Sequence, residues 1–259
     1  MTDIRFHEMP ADAEGTQRRI AFRFTPGAGP TIVFLPGYMS DMAGGKATAV
    51  FERAKAEGRG CLLLDYSGCG ESSGDFADGT LSRWREEVLA LIAAYVEGSV
   101  LLIGSSMGGW LMLLVAEELR ANLDNPLEGI IGIAPAPDFT TWGYSDEQRA
   151  VMDAGQTVYE ENPYGPEPTP TYPEFFADGE DNLMLAAPIA LDCPIRLLHG
   201  RNDADVPWEI SVALAEALDT DDIQLTLLWD GDHRLSRPSD IALLHRTIAG
   251  FYDSGPEPQ

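Results

Sequence analysis

The most constraining feature of the chain is a series of short apolar runs, each followed by a stretch with helical periodicity. The middle runs are apolar throughout, as expected of strands that helices cover on both faces of a parallel sheet. Between the runs, apolar residues recur at every third or fourth position, which indicates helices. The pattern predicts an α/β fold with a doubly wound, mostly parallel sheet. We expect strands at 18–24, 31–37, 61–66, 100–105, 129–135, 194–200 and 223–231, and helices at 46–58, 80–96, 109–123, 208–218 and 240–252.

A long stretch at 136–190 interrupts this alternation. It is dense in proline and carries ten carboxylates between Asp146 and Asp181. A stretch of this length inside a compact domain is usually a lid, a binding loop or a disordered insert, and interleaved aromatics argue against disorder. We therefore expect a partly helical lid at 136–190 on an α/β core formed by 1–135 and 191–259, with an irregular surface loop as the alternative. The aromatic residues of the stretch are Trp142, Tyr144, Tyr159, Tyr164, Tyr172, Phe175 and Phe176.

The charge balance excludes several kinds of partner. The chain has 17 basic and 42 acidic residues, a formal net charge of −25. Such a chain repels nucleic acid and anionic membranes, so we expect a small-molecule substrate and no nucleic-acid partner. No apolar run approaches the roughly 18 residues of a membrane span. The first residues do not resemble a signal peptide, which predicts a cytoplasmic location. The tail "SGPEPQ" is expected to be frayed.

The cysteines and histidines do not indicate a metal centre. Cys61, Cys69 and Cys193 form no CxxC pair and are odd in number, as expected of free thiols in a reducing compartment. The four histidines do not have the spacing of metal ligands. We therefore expect neither a metal nor a cofactor.

The segment "GSSMGG" from Gly104 to Gly109 joins an apolar strand to an apolar helix. It matches G-x-S-x-G with Ser106 as the central serine. In that motif the chain turns so sharply that the serine backbone is strained and the residues two before and two after it must be glycine. This placement makes Ser106 the candidate nucleophile, and Ser105 its structural neighbour facing the sheet.

A serine nucleophile needs a base and an acid that orients the base. Of the downstream histidines, His233 follows the last strand and is the candidate base. His199 at a strand end and His245 inside a helix are expected to be structural. The loop "RNDADVPWE" supplies the acid, and Asp203 at its turn is favoured over Asp205, which we expect to cap or to complement the next helix. Asp230 and Asp232 flank the histidine too closely and are expected to be solvated loop charges.

Catalysis of this kind also requires donors for the developing oxyanion. One is expected to be the backbone N–H of Met107, directly after the nucleophile. The other is expected from the loop "PGYMSDMAGG", with the N–H of Tyr38 first and that of Met39 as the alternative. Met39, Trp110 and the lid residue Trp142 are candidate contacts of the acyl group.

These segments together resemble serine hydrolases of the α/β-hydrolase fold. "DYSGCGESSG" at 65–74 is similar to that family's structural Asp-x-x-Gly-x-Gly-x-Ser loop. The similarity extends from about 32 to 251 and is greatest to a group of palmitoyl-protein thioesterases and acyl-glucuronide esterases. It implies Ser106, Asp203 and His233 as nucleophile, acid and base, the same three residues as the motifs indicate.

The sequence thus predicts a serine hydrolase of carboxylic esters or thioesters. The first alternative is an aminopeptidase or amidase with the same triad, which a carboxylate anchor in the acidic lid would serve. The second is a non-catalytic ligand-binding protein on this fold, although such proteins often lose the histidine or the acid. The preferred acyl group and the oligomeric state are left open.

Overall fold

The computed structural model describes residues 4–11, 15–120, 124–163 and 165–253. Its strands are β1 (Arg5–Glu8), β2 (Arg19–Thr25), β3 (Ala28–Leu35), β4 (Arg59–Leu64), β5 (Val100–Ser105), β6 (Leu127–Ile133), β7 (Val158–Glu160), β8 (Thr169–Thr171), β9 (Ile195–Gly200) and β10 (Ile223–Leu228). Its helices are α1 (Gly45–Ala56), α2 (Leu81–Tyr95), α3 (Met107–Leu119), α4 (Phe139–Trp142), α5 (Asp146–Asp153), α6 (Pro173–Asp181), α7 (Glu209–Ala217) and α8 (Pro238–Asp253), with a 3₁₀ turn at Phe76–Asp78.

Eight strands form one sheet in the order β1-β2-β4-β3-β5-β6-β9-β10. The six strands from β4 to β10 in this order run parallel, whereas β2 and β1 are antiparallel to their neighbours. The continuous apolar runs of the sequence form the parallel strands in the middle of the sheet, and β5 is buried at every position. The parallel edge strand β10 differs, because Gln224 and Thr226 interrupt its apolar residues and are exposed. The predicted doubly wound α/β fold is confirmed.

Helices cover the sheet on both faces. Trp84 of α2 and Leu111 of α3 belong to the core on one face, together with Leu214 of α7. Phe51 of α1 and Leu244 of α8 belong to the core on the other face. All three cysteines are buried free thiols, as expected. Among the described residues, no helix is long and apolar enough to cross a bilayer.

Element boundaries depart from the sequence-based expectations in a few places. The additional strand β1 is short and largely exposed, so it lacks an apolar run. β10 ends at Leu228 rather than at 231, because the N–H of Gly231 turns back to bond the Leu228 carbonyl. Helix α8 begins at Pro238, two residues earlier than expected, since proline is well suited to a first helical turn. The expected frayed tail, 254–259, lies outside the described residues.

The segment between β6 and β9 contains α4, α5, α6 and the β7–β8 hairpin. It is partly helical, as expected; its Tyr164 lies outside the described residues. Its two ends meet at Asp138, whose buried carboxylate accepts the N–H groups of Met184 and Leu185, each at 2.8 Å. The indole of Trp110 in the core donates to the Asn182 carbonyl at 3.0 Å. The segment is therefore fastened to the core.

The parallel topology brings several loops to one edge of the sheet. In an open α/β sheet, ligands bind outside the carboxyl ends of the strands where the strand order reverses. That reversal lies between β3 and β5, which are neighbours in the middle of the sheet. The loops after β3, β5, β9 and β10 carry the residues singled out by the sequence motifs.

Candidate active site

Ser106 occupies a strained turn between β5 and α3. Its backbone has φ 56° and ψ −124°, a region that residues other than glycine rarely adopt. A Cβ on Gly104 would lie 2.3 Å from the Gly108 carbonyl oxygen, so the turn excludes a side chain there. The helix begins at Met107, immediately after the serine and two residues earlier than expected.

Gly108, two residues after the serine, excludes a side chain for a different reason than the motif indicates. A Cβ on Gly108 would lie 2.2 Å from the Leu35 oxygen and 2.4 Å from the Pro36 oxygen, both at the end of β3. A Cβ on Gly109 would lie 2.6 Å from the Pro135 side chain, beyond β6. Small residues at these positions therefore let α3 pack closely against the ends of both flanking strands.

The structure brings Ser106, His233 and Asp203 together in one chain of contacts. The Nε2 atom of His233 lies 3.1 Å from Ser106 Oγ, and its Nδ1 atom lies 2.8 Å from Asp203 Oδ2. The Asp203 side chain is wholly buried, whereas that of His233 is 16% exposed. An ionised carboxylate only accepts, so Nδ1 carries the proton and Nε2 is free to accept from the serine hydroxyl.

Two glycines allow the loops that carry Asp203 and His233 to touch. A Cβ on Gly200 would lie 2.4 Å from the Gly231 oxygen, and a Cβ on Gly231 would lie 2.9 Å from the Gly200 Cα. The N–H of Asn202 donates to the Gly231 carbonyl at 2.9 Å. The backbone of one loop is thus held directly against the other, which fixes the separation of the acid and the base.

The Asp203 carboxylate is held on both oxygens. Its Oδ1 atom accepts the backbone N–H groups of Asp205 at 2.9 Å and Val206 at 2.8 Å. Burial on its own would raise the pKa of this carboxyl, but hydrogen bonds from His199 and His233 and from the backbone hold it well below its usual range. Asp203 is therefore ionised at neutral pH and is a fixed acceptor for His233.

The other acidic candidates have different environments. Asp205 does not cap α7, whose N-cap is Trp208 with no side-chain hydrogen bond, so the expected cap is wrong. The alternative, that its carboxylate complements the dipole of this helix, stays a prediction. Asp230 is exposed but forms an ion pair with Arg237 at 2.8 Å. Asp232 is also exposed, and it accepts the N–H of Leu235 at 3.0 Å. Both lie in the loop as expected, but each has a partner within the chain.

Two residues near the site were not recognised as part of it from the sequence. His199, expected to be structural, is wholly buried, and its Nε2 atom lies 3.2 Å from Asp203 Oδ2. The pattern H-G-x-x-D was the signal that places its ring near the acid. Lys46 of α1 donates to the Arg234 carbonyl, directly after His233. No motif indicated this contact, which joins residues far apart in the chain.

The candidate oxyanion donors lie on either side of Ser106. Met107 is the first residue of α3, and the first N–H groups of a helix have no acceptor within it. Tyr38 follows Gly37, where a Cβ would lie 3.3 Å from the Ser106 Cβ, so this turn passes against the nucleophile. Met39 has a positive φ of 55° in the same turn.

The three candidate substrate contacts differ in exposure. Met39 is 46% exposed beside the site, and Trp142 is half-buried with its indole donating to the Pro137 carbonyl at 2.9 Å. Trp110 has no exposed area and packs edge-on against Phe139 of α4. The 136–190 segment covers its ring, so in this structure Trp110 does not line a pocket as expected but lies beneath that segment.

Among the described residues, one group of three His, Cys, Asp or Glu side chains could hold a metal ion. Asp203, Asp205 and His233 each offer a ligand atom, and these atoms lie within 4.8 Å of one another. Two of these side chains, Asp203 and His233, already form a hydrogen bond with each other. A metal ion bound there would therefore compete for the side chains of the acid and the base.

The buried cysteines do not supply a competing nucleophile. Burial raises the pKa of Cys69 and of Cys193 to about 12. Because the thiolate is the reactive form, these side chains are inert near neutral pH.

Comparison with known proteins agrees with this geometry. A model of the alpha/beta hydrolase family matches residues 32–255. The chain belongs to the alpha/beta hydrolase family. Among curated relatives, human "Palmitoyl-protein thioesterase ABHD10, mitochondrial" is 35% identical over 245 residues, covering 90% of this chain and 76% of that protein. The mouse protein of the same name is 36% identical over 241 residues, covering 90% and 79%.

Solved structures of alpha/beta hydrolases superimpose on nearly the whole chain. A putative hydrolase from Agrobacterium vitis S4 has a TM-score of 0.90 at 39% identity, covering 96% of this chain and 99% of its own. The mouse alpha/beta hydrolase domain-containing protein 10 has a TM-score of 0.87 at 34% identity, covering 97% and 98%. The resemblance inferred from sequence is confirmed. Its relatives support the expected enzyme class, a hydrolase of esters or thioesters.

Proposed function

We propose that the chain is a serine hydrolase that cleaves acyl esters or thioesters through an acyl-enzyme on Ser106. The observation that carries this proposal is the unbroken contact from Ser106 Oγ through His233 to the buried carboxylate of Asp203. In the first step His233 Nε2 takes the hydroxyl proton while Oγ attacks the acyl carbonyl carbon. The tetrahedral intermediate then expels the alcohol or thiol, which leaves with that proton from Nε2.

The second step reverses these roles with water. His233 Nε2 removes a proton from a water molecule while the water oxygen attacks the acyl-enzyme carbonyl carbon. The Ser106 oxygen then leaves with that proton from Nε2. The acyl group departs as a carboxylic acid and the enzyme is restored. Asp203 holds the tautomer of His233 in both steps and stabilises the imidazolium that forms.

The oxyanion of each intermediate is assigned to the backbone N–H groups of Met107 and Tyr38. Both belong to segments that lie against Ser106, and the orphan N–H groups of α3 favour negative charge at its first turn. Each such donor is typically worth about 3 kcal/mol of transition-state stabilisation. This assignment explains why the turn after β3 must approach the serine closely.

We assign the substrate class from the relatives and the lid together. The curated relatives are named palmitoyl-protein thioesterases. The 136–190 segment places Phe139 and Phe175 around the ring of Tyr38, and Met39 adds exposed apolar surface beside the serine. We propose that this lid contacts the acyl chain, that Met39 and Trp142 are substrate contacts, and that long-chain acyl thioesters or esters are cleaved.

The cytoplasmic location expected from the sequence remains a proposal. The human and mouse relatives carry the word mitochondrial in their names. Subcellular fractionation of the source cells, with an antibody to this chain, distinguishes the two locations.

The test is a substrate panel with matched serine variants. Purified protein is assayed on p-nitrophenyl esters of rising chain length, a palmitoyl-cysteine peptide and an aminoacyl anilide. Ser106→Ala is expected to lose at least 10³-fold in kcat, as the loss of a triad nucleophile does elsewhere. Ser105→Ala, the neighbouring serine, is the control and is expected to retain activity.

Each outcome of this panel assigns a class. Preferred cleavage of the anilide would favour the amidase alternative over the esterase. A folded protein that cleaves nothing and is not labelled by a fluorophosphonate would be a ligand-binding protein. Retention of more than a few per cent of esterase activity in Ser106→Ala would refute the assigned nucleophile.

A further inference from the structure

His199 forms a hydrogen-bond network that ends on the acid of the triad. It is the fifth residue of β9, four residues before Asp203, and its ring has no exposed area. The Nε2 atom lies 3.0 Å from the Val206 carbonyl oxygen and 3.2 Å from Asp203 Oδ2. The Nδ1 atom lies 2.7 Å from the hydroxyl of the buried residue Ser211 on α7.

The partners of this ring determine where its proton lies. A backbone carbonyl and an ionised carboxylate can only accept, so His199 Nε2 carries the hydrogen. This single N–H donates to the Val206 carbonyl at 3.0 Å and is shared with Asp203 Oδ2, which lies 3.2 Å from the same nitrogen. Nδ1 then accepts the hydroxyl hydrogen of Ser211 in the neutral ring. The arrangement leaves neither ring nitrogen without a partner, which a wholly buried imidazole requires.

The same oxygen of Asp203 serves both histidines. Oδ2 accepts from His233 at 2.8 Å and lies 3.2 Å from His199 Nε2, whose N–H it shares with the Val206 carbonyl, while Oδ1 is occupied by two backbone N–H groups. The donor from His199 therefore restricts rotation of the carboxylate and withdraws negative charge from the oxygen that holds His233. Both effects act on His233 through Asp203.

We infer that His199, with Ser211 behind it, is a positioning residue that sets the orientation and the acceptor strength of Asp203 towards His233. This inference deepens the proposed function and rests on it. His199 does not touch the serine; it bears on the reaction only through the acid. In metal sites, residues that orient a ligand in this indirect way typically contribute about 10- to 100-fold in affinity or activity, and we expect a similar range here.

Two amide variants separate the roles of the two ring nitrogens. The amide nitrogen of glutamine reaches the position of Nε2, so His199→Gln keeps a donor to Asp203. The shorter His199→Asn reaches only the position of Nδ1 and loses that donor. We expect kcat to fall about 10- to 100-fold in His199→Asn at nearly unchanged KM, and to stay within about threefold in His199→Gln.

The pH profile distinguishes positioning from mere packing. Without the His199 donor, Asp203 is a stronger acceptor and favours protonated His233, so more base is needed to free its Nε2. The acidic limb of the kcat/KM profile should therefore move to higher pH in His199→Asn than in the wild type. The other charged groups around the pair are the same in every variant: Asp205, Asp232, Arg234 and Lys46.

The experiment measures pH profiles per active site, counted with a fluorophosphonate, for the wild type, both His199 variants and His245→Asn as a control in α8. Equal behaviour of the two His199 variants, or an unmoved limb in His199→Asn, would overturn the inference. If His199→Asn does not fold, Ser211→Ala replaces it, and the acidic limb of its profile is expected to move in the same direction. An unmoved limb in Ser211→Ala would likewise overturn the inference. Failure of the proposed function would instead show in the wild type, as absence of labelling at Ser106.

Discussion

At the scale of single residues, the backbone around Ser106 leaves no room for additional atoms. The two oxygens that face Gly108 belong to Leu35, the last residue of β3, and to Pro36 directly after it, on the segment that leads to the proposed oxyanion donor. A methyl group there cannot be accommodated by turning a side chain, because both obstacles are backbone atoms. The close approach of α3 to β3 is therefore a condition for the site.

Gly108→Ala is expected to separate α3 from the end of β3. Forcing a methyl group into a packed contact typically costs about 1–3 kcal/mol of stability, and the displaced helix would carry the Met107 N–H away from the serine. We expect a lower melting temperature and loss of fluorophosphonate labelling. The control is Gly250→Ala in α8, where a Cβ meets no atom within 4 Å. Alanine is favoured there by up to about 1 kcal/mol, so normal labelling is expected, and normal labelling of Gly108→Ala would contradict the account.

At the scale of elements, Tyr38 connects the turn beside Ser106 to the segment 136–190. Its ring lies 4.9 Å from that of Phe175 in α6 and 4.9 Å from that of Phe76, centroid to centroid. Its hydroxyl donates to the Pro170 carbonyl in β8 at 3.0 Å. The residue whose N–H is assigned to the oxyanion thus also fastens the β7–β8 hairpin.

Tyr38→Phe is expected to loosen that hairpin while leaving the turn after β3 in place. The change removes one hydrogen bond and leaves the Pro170 carbonyl without its donor, at a cost of about 1–3 kcal/mol. Hydrogen exchange should become faster in 158–171 and stay unchanged in α1. Tyr159→Phe on the same hairpin is the control, because its side chain is 63% exposed. Equal exchange in wild type and Tyr38→Phe would show that the phenol does not hold the hairpin.

The sequence could predict those elements whose own residues show an apolar run or a turn motif. The continuous apolar runs gave the parallel strands, and Gly104 with Gly108 gave the turn at Ser106. The antiparallel strand β1 could not be predicted, because an exposed edge strand needs no apolar run. The position of α4 beside Trp110 could not be predicted either. Both pack against Gly179 of α6, where an added Cβ would lie 2.6 Å from the Thr140 side chain of α4 and 3.1 Å from the Trp110 ring, 69 residues earlier in the chain.

The site was predictable to the extent that its residues follow strands. Ser106, Asp203 and His233 could be chosen because each lies in a loop at the carboxyl end of a parallel strand. The contacts of His199 could not be predicted, since one of them is made with Ser211 from a later helix. The contact between Gly200 and Gly231 likewise joins two loops that only the folded sheet brings together.

At the scale of the whole molecule, the net charge of −25 acts on every approaching substrate. Seven of the ten lid carboxylates are exposed, and Arg149 is the single basic residue of the segment 136–190. Such a field repels polyanions over a distance of about 10 Å at 0.1 M salt and less at higher salt. The field should therefore discriminate between leaving groups rather than between acyl chains.

Palmitoyl-coenzyme A and an uncharged palmitoyl thioester are expected to respond differently to salt. KM for the coenzyme A ester should fall several-fold as ionic strength rises from about 0.02 to 0.3 M, because screening relieves repulsion. KM for the uncharged thioester should stay nearly constant, which makes it the internal control. If KM changes equally for both substrates, the salt effect does not come from the charge of the leaving group, and the prediction is contradicted.

The measurement that tests the central claim most directly is mass spectrometry of the enzyme quenched during turnover of a palmitoyl thioester. The account predicts a palmitoyl adduct on the peptide that contains Ser106, accumulating in the wild type and absent from Ser106→Ala. An adduct on another residue, or continued turnover by Ser106→Ala, would contradict it.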